Sequence, residues 1–173
     1  VYTEVQFGGD FAPTLMSLAD SNGDVLIKSQ SYQTATQTLA GIAGTQTLTF
    51  NQRLSSVKSV LAYFDGVGSG RVNGIYDACD PTRGESGAGG SFQFALGGVY
   101  YPQVALDTAR CRAGIFAELS NAFMLSGVST ALVPISLNVR CDAAPTATLA
   151  HLVTLFDAII QVNLVNKTCS VKI

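Results

Sequence analysis

The chain has 173 residues, of which 47% are hydrophobic and only 13% charged, and its formal net charge is −2 at pH 7. So much apolar and so little charged material excludes a disordered chain. The ten Lys and Arg residues form no basic run, which argues against sequence-specific nucleic-acid binding. No apolar stretch approaches the ~18 residues of a membrane span. The low charge favours a protein that buries much of its surface against neighbours, although a secreted β-domain can have the same amino-acid composition.

Most of the chain alternates between apolar and polar residues with period two, which is typical of half-buried strands. In the first part of the chain this pattern predicts strands at 5–7, 24–33, 46–52, 56–64, 91–96 and 99–101. Pro102 should end the last of these. In the second part it predicts strands at 135–141, 150–164 and 169–173.

A long glycine-rich loop interrupts this pattern at residues 66–90, which contain eight glycines. The segment is too long for a hairpin turn, so we expect a functional or surface excursion. Its only large apolar residues are Val67, Val72, Ile75 and Tyr76. We expect the loop to contact a neighbouring subunit through these four residues or to project outward, because an isolated subunit offers little to offset the entropy of ordering it.

One segment, at about 108–125, has the spacing of an amphipathic helix. Its apolar residues recur at steps of three and four: Ala109, Ala113, Phe116, Leu119 and Phe123. Asp107 is a suitable N-cap, and Gly127 is a plausible stop signal. About eight strands and one main helix predict an all-β fold, an eight-stranded jelly-roll β-sandwich. No linker divides the chain, so we expect a single domain over residues 1–173.

The four cysteines are each separated by about thirty residues, without any CxxC pair: Cys79, Cys111, Cys141 and Cys169. This spacing does not fit a zinc site. It favours buried thiols but leaves open at least one disulfide.

No residue set identifies an enzyme or a cofactor site. His151 is the only histidine and lies on the polar side of a strand pattern, so we expect a surface or interface residue. Asp77 and Asp80 could bind calcium, but a solvated loop explains them as well. Asn166 begins a glycosylation sequon that is also a good hairpin turn. We therefore predict no catalytic, metal or cofactor residues.

Three blocks of the sequence resemble the double jelly-roll major capsid proteins of tailless double-stranded DNA viruses, especially the Polinton and adintovirus-like group. The first is QTLTFNQRLSSVKSVLAYF at 46–64, with Arg53, Ser56 and Lys58 at matching positions. The second covers 91–123, where the matching residues are Tyr101, Pro102, Glu118, Leu119 and Phe123. The third is the tail from residue 134, which has Asp157 at the family's aspartate.

The resemblance covers about half of the chain and involves the C-terminal of the family's two jelly rolls. It implies a structural protein of the virion, assembled in the host cell as a homotrimeric, pseudo-hexagonal capsomer among neighbouring capsid proteins. It also implies that the chain is the C-terminal half of a larger capsid protein; a single jelly-roll protein is the alternative. A secreted β-sandwich adhesin or lectin-like binding module is the competing function.

Overall fold

The computed structural model describes residues 11–65, 90–107, 115–118, 127–145 and 148–173. The chain divides into two units. The first comprises Val1–Gln30 with Ala158–Ile173, and the second is Ser31–Asp157. The prediction of a single domain stays a prediction.

The described residues form nine strands and one short helix. The helix is α1, Phe11–Leu18. The strands are β1 Asp24–Thr38, β2 Gly44–Phe50, β3 Val57–Asp65, β4 Gly90–Leu96, β5 Val99–Asp107, β6 Ile115–Glu118, β7 Ile135–Cys141, β8 Leu149–Asn163 and β9 Thr168–Lys172. In these residues no helix is long and apolar enough to cross a membrane.

The strands form two antiparallel sheets with the strand order of a jelly roll. One sheet runs β1-β8-β3-β6, with β9 added beside β8, and the other runs β2-β7-β4-β5. From β1 to β8 the chain changes sheet at every step except the β4–β5 hairpin. This order is that of two interleaved Greek keys. It confirms the predicted all-β jelly-roll β-sandwich.

The core of the second unit is built from the alternating apolar positions that the sequence shows. Leu48 on β2, Leu137 on β7 and Phe94 on β4 are direct cross-strand partners in one row. Leu137 and Phe94 are completely buried. On the other sheet, Ala62 pairs with Leu152 and both are also completely buried. Burying each large side chain contributes about 1.5–3 kcal/mol, so these rows fix both the register and the inward face of each sheet.

The predicted main helix at about 108–125 is wrong where the structure describes it. Residues Ile115–Glu118 form β6, which pairs with Ser59–Ala62 of β3. A short apolar run such as IFAE satisfies either periodicity, and pairing with β3 completes its backbone hydrogen bonds. The rest of that segment, 108–114 and 119–125, lies outside the described residues.

Pro102 was predicted to end its strand, but it lies inside β5. The pairing of β4 with β5 shifts register between Phe92 and Phe94, so β5 bulges at 102–105. The Gln93 side-chain amide donates to the carbonyl oxygens of Pro102 and Gln103, at 2.9 and 3.0 Å. Because β5 is the last strand of its sheet, a residue without an N–H is tolerated there.

The first unit is organised around the end of β8. Its described strands are the first seven residues of β1, the last six of β8, and β9, which pairs with β8 from Ile159 to Asn163. The Asp24 carboxylate accepts from the side-chain amides of Gln161, at 2.6 Å, and Asn163, at 2.8 Å. Asn166, of the predicted hairpin turn, lies in the β8–β9 turn.

Candidate functional site

The four residues predicted to contact a neighbouring subunit lie outside the described residues. These are Val67, Val72, Ile75 and Tyr76, in the connection between Asp65 at the end of β3 and Gly90 at the start of β4. Gly90 itself, counted as the last loop residue in the sequence prediction, is the first residue of β4. The interface role of the loop therefore stays a prediction.

The cysteines and acidic residues that could carry chemistry are only partly described. Cys141 is buried on β7 and Cys169 is exposed on β9. Cys79 and Cys111 lie outside the described residues, as do the calcium candidates Asp77 and Asp80. Within the described ranges, no three His, Cys, Asp or Glu side chains come together as a metal site requires.

His151 lies at a half-buried position on β8, where its neighbours hold the ring. Its Nδ1 lies 3.0 Å from the Thr36 hydroxyl oxygen. The ring stacks on Tyr63, with 4.7 Å between the ring centroids and 20° between the planes. His151 was predicted as a surface or interface residue, and its ring is half-buried between Thr36 and Tyr63. No described nucleophile is hydrogen-bonded to it other than the Thr36 hydroxyl.

Three residues that carried the family resemblance meet in the second unit. The Ser56 hydroxyl donates to the Asp157 carboxylate at 2.7 Å, and the Lys58 ammonium lies 3.5 Å from the same oxygen, Oδ2. Both side chains of the ion pair are buried. The Asp157 backbone N–H also donates to the Ser56 carbonyl oxygen at 3.0 Å. A buried charge is costly without its partner, so these residues depend on each other across a hundred positions of sequence.

Gly127 lies against this cluster and has a role different from the predicted stop signal. Its N–H donates to the Ser56 hydroxyl at 3.1 Å. Its neighbour Val128 exchanges two backbone hydrogen bonds of 2.9 Å with Val57. A Cβ at residue 127 would fall 2.6 Å from the Val57 carbonyl carbon. The position therefore requires glycine because the backbone of β3 is so close.

A second buried cluster of polar residues joins the segment before β3 to the segment before β7. The Thr130 hydroxyl donates to the Gln52 carbonyl oxygen at 2.6 Å and accepts from the Leu54 N–H at 3.1 Å. The Thr154 hydroxyl donates to the Gln52 side-chain oxygen. All these polar groups are intramolecularly bonded, which is the condition for burying them. Both buried clusters join segments that are far apart in the sequence and so stabilise the fold.

The strand β5 exposes apolar side chains at the edge of its sheet. Val104 is 78% exposed and Leu106 is 45% exposed. The beginning of the same strand adds Val99 and Tyr100, both about half exposed. Sequence reasoning missed this surface because it took Pro102 as the end of the strand. Apolar residues on an edge strand are a template for association with another chain.

Beside β5, the outward surface of the same sheet forms an open concavity of about 430 Å³. Tyr100, Asn138 and Arg140 line it together with Thr47 and Gln93. Much of its hydrogen-bonding capacity is already used. The Thr47 hydroxyl donates to the Asn138 side-chain oxygen at 2.8 Å, and the Gln93 amide is committed to the bulge of β5.

Comparison with known proteins finds a likeness of fold. The chain superimposes with a TM-score of 0.60 on a chain of the PBCV-1 virus capsid, described as a quasi-atomic model. The match covers 86% of this chain and 51% of that chain, at 10% sequence identity. The chain has the fold of a viral capsid jelly roll. This confirms the recognised resemblance at the level of the fold.

The match spans about half the length of that capsid chain. No family model matches the sequence, and no curated protein matches it.

Proposed function

We propose that the chain is a structural building block of a viral capsid and not an enzyme. In this proposal it forms homotrimeric, pseudo-hexagonal capsomers with itself and contacts neighbouring capsid proteins in the virion, after assembly in the host cell. The observation that carries the proposal is the fold likeness to the PBCV-1 capsid over 86% of the chain. The jelly-roll strand order in both sheets supports it.

The surface of the second unit supports an assembling protein on physical grounds. The core of a protein–protein interface is depleted in charge and enriched in apolar and aromatic residues. Strand β5 has this character, with Val99, Tyr100, Val104 and Leu106 all exposed. A neighbouring subunit that covers these side chains would remove them from water. We therefore assign β5 to a subunit contact. The loop at 66–90 is the second proposed contact, through its four large apolar residues, Val67, Val72, Ile75 and Tyr76.

Sedimentation velocity over a range of protein concentrations tests the proposal. Val104→Asp places a charge on the proposed contact and should shift the protein towards smaller species. Thr45→Asp is the matched control, because Thr45 is an exposed residue of β2, the opposite edge strand of the same sheet. Equal effects of the two substitutions, or no association of the unmodified protein, would count against assembly through β5.

The concavity beside β5 favours the second candidate, a secreted lectin-like binding module. Its volume of about 430 Å³ falls in the range of small-molecule sites, and Tyr100 offers a ring for stacking. Calorimetric titration of neutral and acidic oligosaccharides separates the candidates. A saturable heat of oligosaccharide binding that Tyr100→Ala abolishes would support the lectin-like module. The capsid proposal predicts no measurable binding heat.

A further inference from the structure

We draw no further inference here: the strongest candidate, the exposed surface of strand β9 with its apolar residues Cys169 and Val171, carries none, because nothing in the structure shows what covers it.

Discussion

The close approach of Gly127 to the backbone of β3 gives the sharpest test of the packing. In Gly127→Ala the added Cβ would lie 2.6 Å from the Val57 carbonyl carbon and 2.7 Å from the Ser56 carbonyl carbon. Ordinary contact between carbon atoms needs about 3.5 Å, so the chains would have to separate by about 0.9 Å. The obstacle is backbone, and no side chain can rotate away to relieve it.

The cost of Gly127→Ala can be estimated from the contacts that hold the two segments together. Overpacking typically costs about 1–3 kcal/mol. Separation would also weaken the paired hydrogen bonds between Val57 and Val128, each of which is worth about 0.5–1.5 kcal/mol. We expect a loss of about 3–4 kcal/mol, which lowers the melting temperature by roughly 10 °C in a chain of this size.

Thermal melting followed by circular dichroism measures the effect, and the chain provides a matched control. Gly41 is exposed, and a Cβ there would meet nothing within 4 Å. Gly41→Ala should leave the melting temperature unchanged or raise it slightly, because alanine restricts the unfolded chain. If Gly127→Ala and Gly41→Ala had the same melting temperature, the reasoning about this contact would be refuted.

Three further predictions follow from the sequence and the contacts. Asp157→Ala should cost about 3–5 kcal/mol in urea denaturation, because it breaks a buried ion pair and removes the acceptor of the Ser56 hydroxyl. Lys58→Met/Asp157→Leu should recover much of this loss, and an additive loss in the double variant would contradict the reasoning. In the native protein a thiol reagent should modify Cys169 quickly and Cys141 only after unfolding, as mass spectrometry of the peptides would show; equal rates would contradict the burial of Cys141. Replacing residues 67–89 with a short Gly/Ser linker should preserve cooperative melting but reduce association in light scattering; loss of cooperative melting would place the loop in the core.

The strands were predictable where one face is buried and the other is not. The pattern of Ile135, Leu137, Val139 and Cys141 gave the bounds of β7 as the structure has them. The prediction for β8 differs by one residue at each end. Alternation succeeds here because each strand packs one side on the core.

The elements that the sequence did not yield depend on partners far along the chain. Strand β6 exists because β3 completes its hydrogen bonds, and its own residues also fit a helical stripe. Strand β5 continues past Pro102 because it lies at a sheet edge. Helix α1 was missed because eight residues that include Pro13 show too little periodicity, although proline is tolerated in a first helical turn.

The buried cluster shows how far sequence reasoning reaches at a site. Ser56, Lys58 and Asp157 stood out by family resemblance, but nothing in their local patterns indicated that they touch. A lysine in a strand pattern reads as a solvent-facing residue, and only the pairing of β3 with β8 brings Asp157 to it. Likewise, the cysteine spacing favoured buried thiols, but Cys169 is exposed because β9 is exposed along its whole length.

Electron microscopy of the purified protein at high concentration can decide whether the chain assembles. The proposed capsid role predicts trimers that pack side by side into sheets or shells. Particles of a single subunit at every concentration, with the fold intact by circular dichroism, would contradict it.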